Sequence, residues 1–289
     1  MTTIRAEVVL SSESTQSLKR LSTLVLRYPR FIHAELMTHR VFSRNAASSR
    51  AIPVNRLIDE ALVDPAVPKY WVKNQAGMQG FQPMEEKEEM AAKMHWDIAR
   101  LESINRARAM AECGAHKQLV NRLLEPYIHI TTLVSATEWD NFFELRNHAM
   151  AEPHLRDLAR EIEHALDTCD VQRLEPGGWH LPFVQAPMPV QPDPLDVAMS
   201  IACCASTSYK TVEGYEMSRE KARAICDKLL VKPLHASPLE HVAFVDQVWN
   251  GTYLNFDCHR NYVGFAQLRA MIERGDMNEK FQMRMNRGK

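Results

Sequence analysis

The stretch that decides the fold is "STLVLRYPRFIHAELMTHRVFSRNAASSR", residues 22–50. Its first part is mostly apolar, which predicts a strand with Leu24, Leu26 and Tyr28 on one face. Pro29 follows at once and predicts the first turn of a helix, because its fixed φ is already helical. A strand joined directly to a helix indicates a protein of the mixed α/β class.

The rest of this stretch supports two interpretations. The helix is predicted to run through "RFIHAELMTHR", with Glu35, Thr38 and His39 on one side, and a further helix is predicted to begin at Pro53. Between the two helices, residues 41–50 show no clean period and are rich in serine and asparagine. On local composition alone, this pattern favours a polar connector.

The alternative interpretation of the same segment is an anion site. Arg40 and Arg50 carry permanent charges that suit bidentate binding of a phosphate, and Ser43, Ser48 and Ser49 add hydroxyl groups. Backbone amides of the loop would complete the nest around the anion. The matching ligand class would be a phosphorylated planar molecule.

Further helices are predicted along the chain. An irregular connection over residues 62–83 precedes an amphipathic helix from about 84 to 110, whose apolar stripe is expected to pack in the core. A capping box of Ser135 and Glu138 predicts a helix that carries Arg146. The stripe of the long helix consists of Met90, Met94, Ile98, Leu101 and Ile104.

Pro153 is predicted to begin another helix. Arg156 and Arg160 lie together on one side of it, where two guanidinium groups would clamp a phosphate. Its apolar face is formed by Leu155, Leu158, Ala159, Ile162 and Leu166. An alternating strand is predicted later in the chain, at "VAFVDQVW", residues 242–249.

Composition limits the classes of function. A net charge of -1 gives no bulk attraction to nucleic acid or to a membrane surface. The chain has no run of about 20 apolar residues and no signal-peptide pattern, which predicts a cytoplasmic protein. The six cysteines include no C-x-x-C, so reduced thiols are favoured over a zinc site, and His235 and His241 are not spaced as metal ligands on one helical face. Walker A and Gly-x-Gly-x-x-Gly motifs are absent from the sequence.

Two motifs resemble those of the flavin-dependent thymidylate synthases. The signature of that family is Arg-His-Arg, seven residues, Ser, and Arg two residues later. Thr38-His39-Arg40, Ser48 and Arg50 match every position but the first. The family also carries a His-x-Ser/Thr-Pro-x-Glu-His stretch that lies against the flavin, and "HASPLEH" at 235–241 is similar to it.

Two weaker motifs support the same resemblance. "ASTSY" at 205–209 is similar to the family's Ala-Arg-x-Ser-Tyr, with Ser206 in place of arginine. "ELR" at 144–146 and "AEPHLR" at 151–156 are similar to its Asn-Leu-Arg and Ala-Gln-x-x-Ile-Arg. Together the four motifs span most of the chain.

The order of the motifs differs from that of the family. There, the Ser-Tyr and His-Ser-Pro-Glu-His elements precede the Arg-His-Arg helix, whereas here they follow it, so we interpret the chain as a circular permutation. The proline-rich residues 173–196 would be the splice linker inside a single domain, 1–289, with a flexible tail at 277–289. The resemblance implies an α/β fold of the α+β type, with a mostly antiparallel central sheet flanked by helices. It also implies a homotetramer whose active sites draw on several subunits.

The resemblance further implies a role for each motif residue. FAD would contact His39, Arg40, Val41, Asn45, Arg146, Ser208, His235, Ser237 and Glu240. The pyrimidine nucleotide would contact Glu35, Ser48, Ser49, Arg50 and Arg156, with Ser48 and Arg156 catalytic. In the family's chemistry NADPH reduces FAD, methylenetetrahydrofolate donates a one-carbon unit, and the reduced flavin supplies the hydride that completes the methyl group on C5 of dUMP.

Departures from the family pattern leave alternatives open. Thr38, Ala46 and Thr132 each stand where the family has a charged or more polar residue. One alternative is therefore C5 modification of another pyrimidine nucleotide such as dCMP, or hydroxymethylation of dUMP. An alternative of a different class is a non-catalytic nucleic-acid-binding or regulatory protein, against which the near-neutral charge and the lack of a reader motif weigh.

Overall fold

The computed structural model describes residues 4–77, 80–184, 192–207 and 217–275. The strands in these ranges are β1 (Arg5–Ser14), β2 (Arg20–Pro29), β3 (Ser43–Ala46), β4 (His129–Ala136), β5 (Gln172–Leu174), β6 (Trp179–His180), β7 (Ala243–Val245), β8 (Val248–Trp249), β9 (Thr252–Tyr253) and β10 (Phe265–Gln267). The α-helices are α1 (His33–Leu36), α2 (Val54–Val63), α3 (Glu86–Glu112), α4 (Lys117–Val120), α5 (Asp140–Arg146), α6 (Pro153–Thr168), α7 (Pro194–Ser206), α8 (Arg219–Leu229) and α9 (Leu268–Arg274). Single 3₁₀ turns cover Arg30–Ile32, Asn121–Tyr127, Ser237–His241 and Phe256–Cys258.

The main sheet has five strands in the order β3-β4-β2-β1-β5. Neighbouring strands are antiparallel except β1 and β5, which are parallel, so the predicted mostly antiparallel sheet is confirmed. β2 lies at the centre, where Leu24 pairs with Val134 of β4 and with Val8 of β1. The mixed α/β class is also confirmed, because helices surround this sheet.

The core of the sheet is the predicted face of β2. Leu24, Leu26 and Tyr28 are fully buried and pack in one cluster with the apolar face of α6. α6 begins with Pro153 at its first turn, and the Glu152 side chain caps it by accepting a hydrogen bond of 2.7 Å from the amide of Leu155. All five residues predicted for the apolar face of α6 are buried, which confirms that helix and its orientation.

The segment after β2 differs from the prediction in two ways. The helix begun by Pro29 ends at Leu36, so Thr38 and His39 lie in the turns that follow it. Residues 43–46, predicted to be part of a polar connector, form β3 and pair with β4. A four-residue edge strand is too short to show a period of two, and its pairing depends on a partner about 90 residues later in the chain.

The long helix is confirmed, but the expected position of its apolar stripe is wrong. α3 spans 27 residues, and its buried residues are Arg100, Ile104 and Ala107. Arg100 reaches the neighbouring helix, where it donates a hydrogen bond of 2.6 Å to the carbonyl of Ala61 in α2. The rest of the stripe is exposed: Met90 by 64%, Met94 by 54%, Ile98 by 55% and Leu101 by 42%.

Two shorter predictions are also corrected. Ser135 does not cap a helix, because it lies in β4 with its hydroxyl buried, and α5 begins at Asp140 without a side-chain cap. The strand predicted over 242–249 is interrupted after Val245. There the buried carboxylate of Asp246 accepts hydrogen bonds from the amides of Gln247 and Asn255, which turns the chain away from a continuous strand.

The C-terminal half packs around a second, three-stranded sheet in the order β10-β7-β6. α7, α9 and the 237–241 turn cover it with a separate apolar cluster. Part of the predicted linker, 173–184, contributes strands to both sheets, and the predicted tail at 277–289 lies outside the described residues. In the described ranges, no helix combines the length and the apolar character needed to cross a membrane. The single domain and the circular permutation stay predictions.

Candidate active site

A cleft of about 850 Å³ opens beside the main sheet. One side is formed by the chain from the end of α5 to the first turns of α6, residues 144–156, together with Glu35 of α1. The rest of its described lining comes from the irregular segment 70–83, through Tyr70, Val72, Gly80, Phe81 and Pro83. Its volume is that of a site for a small molecule or cofactor.

Two charged groups in the cleft have no partner among the described residues. The Oε2 atom of Glu35 and the Nε atom of Arg156 are buried and make no hydrogen bond. A buried polar group left unsatisfied costs about 1–3 kcal/mol, which a ligand with the complementary group would recover. Because the carboxylate only accepts and the guanidinium only donates, the fitting ligand presents a donor and an acceptor on one polar edge.

Arg146, which lines the cleft together with this pair, is hydrogen-bonded to His39. Arg146 lines the cleft and donates from its Nε atom to Nε2 of His39 over 2.8 Å. The imidazole is buried, stacks on Phe42 and meets the edge of Phe142. Burial, followed by the charges of Arg146 and Arg44, lowers the pKa of His39 to about 4. His39 is therefore neutral near pH 7, and its proton lies on Nδ1 because Nε2 accepts from Arg146.

Thr38, which stands at the first signature position, also contacts Arg146. A second guanidinium nitrogen of Arg146 donates to Oγ1 of Thr38 over 3.1 Å, and this hydroxyl donates to the carbonyl of Glu35 over 2.6 Å. A neutral acceptor at position 38 therefore fits the cation at position 146. The structure thus gives a physical reason for the departure from the signature.

Arg44 is a site residue that the sequence interpretation missed. Its guanidinium donates to the carbonyls of Met37 and His39 over 2.7 and 3.2 Å, which closes the turn that carries His39. Burial lowers the pKa of Arg44, although the nearby Glu240 opposes that shift. The sequence shows only an arginine in a segment rich in serine and asparagine, which is too little to distinguish a structural role from a solvated one.

The 235–241 segment lies directly against β3. Ser237 donates from its hydroxyl to the carbonyl of Arg44 over 2.9 Å, and Asn45 donates to the carbonyl of Cys204 at the end of α7 over 2.7 Å. The Glu240 carboxylate is held in an ion pair with Arg269. The tertiary structure therefore brings together motif elements that are almost 200 residues apart in the chain.

The other residues predicted to bind FAD lie around this contact. Arg40, Val41 and His235 are exposed, and Arg40 makes no hydrogen bond or ion pair with any described residue. Ser208 lies outside the described residues. Exposed and unpaired Arg40, next to the turn that Arg44 closes, suits a phosphate of a dinucleotide cofactor.

Three residues predicted to bind the nucleotide lie away from the cleft. Ser48 and Arg50 are exposed and are not among the described residues that line it. Ser49 is buried, and its hydroxyl donates to Glu125 over 2.7 Å. Arg160, predicted to act with Arg156, is exposed and bonds Asn147 instead. Within one chain, the structure therefore unites Glu35 with Arg156 and separates them from the Ser48–Arg50 loop.

A buried chain of polar side chains, also missed from the sequence, joins the two sheets. His180 bridges the hydroxyls of Ser12 and Thr23 through its two ring nitrogens, each over 2.8 Å. Thr23 bonds Ser135 over 2.6 Å, and Ser135 bonds Nδ1 of His241 over 2.8 Å. Burial lowers the pKa of both histidines to about 3, so both are neutral near pH 7. This row of hydrogen-bonded side chains holds the 237–241 turn in place under the site.

The two other departures, Ala46 and Thr132, pair with each other in the main sheet, and Thr132 belongs to the core. Its hydroxyl is buried and bonds the hydroxyl of Tyr28 over 2.9 Å, and Tyr28 also bonds His33 over 2.8 Å. Arg122 precedes Thr132 by ten residues and could have supplied the cation that Thr132 lacks, but it is exposed and paired with Glu125 at 2.8 Å. Neither residue lines the cleft among the described positions.

Comparison with known proteins agrees with the class that the fold and the motifs define. Residues 13–168, more than half of the chain, match the model of the Thy1 family, described as thymidylate synthase complementing protein. The chain belongs to this family and is a flavin-dependent thymidylate synthase-like enzyme. No curated protein sequence matches it.

Among solved structures, the chain is similar to the UMP/dUMP methylase PolB from Streptomyces cacaoi. The complex with 5-bromo-UMP is 15% identical and has a TM-score of 0.47, with 57% of this chain and 89% of that chain covered. The complex with 5-bromo-dUMP is 15% identical with a TM-score of 0.48, and 57% and 90% are covered. The flavin-dependent thymidylate synthase ThyX from Helicobacter pylori, complexed with FAD and dUMP, is 19% identical with a TM-score of 0.34, and 50% and 67% are covered.

Proposed function

We propose that the protein methylates C5 of dUMP to form dTMP, with FAD as cofactor and with NADPH and methylenetetrahydrofolate as co-substrates. The observation that carries the proposal is that Glu35 and Arg156, each with an unpartnered buried atom, line the same cleft as Arg146, which bonds His39. A pyrimidine ring has donors and acceptors side by side on its edge, which is the pattern that this pair requires.

Arg156 is the residue for which we propose the main catalytic role. Its guanidinium would donate to a carbonyl of the base and stabilise the negative charge that develops there during reaction at C5. Because the group is already buried and held on α6, little reorganisation is needed when that charge forms. Electrostatic polarisation of this kind does not require a cysteine nucleophile.

The flavin would lie where residues 39–45 contact the 235–241 segment. When bound, FAD supplies the hydride that completes the methyl group. Exposed Arg40 and His235 would hold its phosphates, while neutral His39, fixed by Arg146, shapes the floor of the site. The carbonyl of Arg44 already accepts from Ser237, so the two segments are preassembled for binding.

We also propose that the enzyme is a homotetramer in which Ser48 and Arg50 of one subunit complete the cleft of another. Both residues are exposed and neither lines the described part of the cleft of its own chain. An exposed arginine with no partner among the described residues is suited to the phosphate of a nucleotide held mainly by a neighbouring subunit. Under this proposal Ser48, the second catalytic residue, acts across the interface.

A second substrate is favoured by one specific observation. Position 35 holds a carboxylate, where the resemblance implies a glutamine, and a carboxylate cannot donate to a carbonyl oxygen of uracil. It can accept from the amino group of cytosine, which is a recognised pairing for glutamate. We therefore propose dCMP as the alternative substrate for C5 modification.

The decisive assay incubates the purified protein with FAD, NADPH, methylenetetrahydrofolate and either dUMP or dCMP, and reads the product by mass spectrometry. Methyl, hydroxymethyl and unchanged bases differ in mass, so one experiment separates the enzymatic alternatives. A colourless protein that cannot be reconstituted with FAD and that retards DNA in a gel would instead support the nucleic-acid-binding alternative.

Arg156→Ala tests the proposed catalytic role. We expect turnover to fall by about 10²–10³-fold, as for the loss of one donor to a developing oxyanion, with folding intact. Arg160→Ala is the matched control, because Arg160 lies on the same helix, is exposed and, among the described residues, bonds Asn147 alone. Equal rates for the two variants would overturn the role of Arg156.

Ser48→Ala tests the contribution of the loop. Because Ser48 is exposed, its substitution leaves the core untouched, and we expect turnover to be lost without a change in thermal stability. In a mixture with Arg156→Ala subunits, partial activity should return, since each variant supplies the residue that the other lacks. No recovery in mixed tetramers would contradict the sharing of sites between subunits.

A further inference from the structure

Residues 70–77 and 80–84, several of which line the cleft, are here named the arch. Its two arms are joined by hydrogen bonds of 2.8 Å from the amide of Lys73 to the carbonyl of Gln82 and of 3.1 Å from the amide of Met84 to the carbonyl of Trp71. Tyr70 anchors the arch to α6 by donating to the carboxylate of Asp157, the residue after Arg156. The arch is therefore attached to the same helix that carries Arg156.

Gly80 permits close packing between the arms of the arch. A Cβ atom at this position would lie 2.3 Å from Cγ2 of Val72, a distance that atoms cannot adopt. Any larger residue at position 80 would push the arms apart.

Phe81 is an aromatic side chain that lines the cleft while 55% of its surface is exposed. Val72 and Pro83 line the same side, so the arch contributes an apolar wall. Glu35 of α1 and Arg156 of α6 line the same cleft and carry the unpartnered Oε2 and Nε atoms. The cleft therefore combines an apolar surface with two charged side chains that can bind polar atoms. This combination suits a flat heterocycle with polar atoms on its edge.

We infer that Phe81 is an aromatic platform that stacks on the face of the pyrimidine base while Glu35 and Arg156 bind the edge of the base. This inference rests on the proposed function, because it assigns the occupant of the same cleft. Stacking of an aromatic side chain on a base is tolerant of the identity of the base. Phe81 would therefore contribute affinity for dUMP and dCMP alike, and Glu35 would contribute the distinction between them.

The test measures binding of dUMP to the FAD-loaded full-length protein by calorimetry. Loss of one base–aromatic stack weakens binding by about 5- to 150-fold, so we expect Phe81→Ala to raise the Kd for dUMP at least fivefold. Phe81→Tyr, which keeps a stacking ring, should bind within about twofold of the wild type. Phe256→Ala is the matched control, because Phe256 is 67% exposed and lies outside the cleft.

The outcomes separate this inference from the proposed function. Wild-type affinity in Phe81→Ala, together with a loss in Arg156→Ala, overturns the platform and leaves the proposed function standing. A loss in Phe81→Ala that affects NADPH and not dUMP also overturns it, because the platform would then serve another ring. If the wild-type protein binds no pyrimidine nucleotide, the proposed function fails and the inference fails with it.

Discussion

Arg146 donates a hydrogen bond of 2.8 Å to Nε2 of His39, a residue 107 positions earlier in the chain. This contact links the helix before the cleft to the turn that carries the signature motif. Burial is the main reason that the pKa of His39 is lowered, and the guanidinium of Arg146 beside the ring adds to that effect by opposing protonation.

Removal of Arg146 should raise the pKa of His39. We expect Arg146→Met to move this pKa from about 4 towards 6.5, but not to reach it, since burial and Arg44 continue to disfavour the charged ring. An NMR titration of the imidazole resonances measures the change. Arg160→Met is the control, and a His39 pKa that stays near 4 in Arg146→Met would contradict the assigned cause.

Restoration of the first signature arginine should harm this protein. In Thr38→Arg a second guanidinium would lie beside Arg146, which now donates to the Thr38 hydroxyl, so like charges would meet and a hydrogen bond would be lost. We expect FAD to bind about tenfold more weakly, as measured by flavin fluorescence. Thr38→Ser, which keeps the acceptor, should behave as the wild type, whereas tighter FAD binding in Thr38→Arg would refute the argument.

Stability should fall as the pH is lowered from about 6.5 to 3. His180 and His241 have pKa values of about 3 in the folded protein and near 6.5 when unfolded, so in this window only the unfolded chain takes up their protons. Each histidine then lowers the free energy of unfolding by about 1.4 kcal/mol per pH unit. Urea unfolding at several pH values measures the slope.

His180→Gln and His241→Asn are the variants that test this cause. Each variant removes one titrating ring. The free energy of unfolding should therefore fall less steeply between pH 6 and 4, by the contribution of one histidine. His164→Gln is the control, because the His164 side chain is exposed on α6 and lies outside this buried chain of side chains. An unchanged slope in both core variants would show that other groups produce the acid sensitivity.

The exposed stripe of α3 should be a contact between subunits. Its first turn carries Glu86, Glu88 and Glu89, and its last turns carry Arg106 and Arg108, so antiparallel pairing with α3 of a second copy would bring opposite charges together. We expect Met94→Glu to reduce the molar mass in light scattering by at least half. Ala99→Glu, on another exposed face of α3, should leave the assembly intact, and a tetramer in both variants would exclude this contact.

Several elements could be predicted from the sequence because their causes are local. The buried face of β2, the start of α6 at Pro153 and the apolar face of that helix follow from periodicity and from the fixed φ of proline. The signature at 38–50, together with the motifs at 144–156, 205–209 and 235–241, indicated the family through residue types and their spacing, before any contact was known. Local patterns of this kind depend only on residues within one or two turns of each other.

Other features depended on partners distant in the chain. β3 could not be recognised in the sequence because its pairing requires β4. The apolar stripe of α3 was expected in the core because periodicity shows that a helix face is apolar without showing what covers it. The role of Arg44 and the hydrogen-bonded chain from Ser12 to His241 likewise arise from contacts between distant segments.

The sequence by itself determined the residue types of the site, the class of the fold and the family. Only the tertiary structure decided where those residues lie: Glu35 and Arg156 line one cleft, His39 bonds Arg146, which lines the same cleft, and Ser48 and Arg50 are not among its described lining residues. The physical reason is that residue chemistry and local spacing are properties of short segments. Burial, pKa and unsatisfied hydrogen bonds are instead set by whatever the folded chain places next to each group.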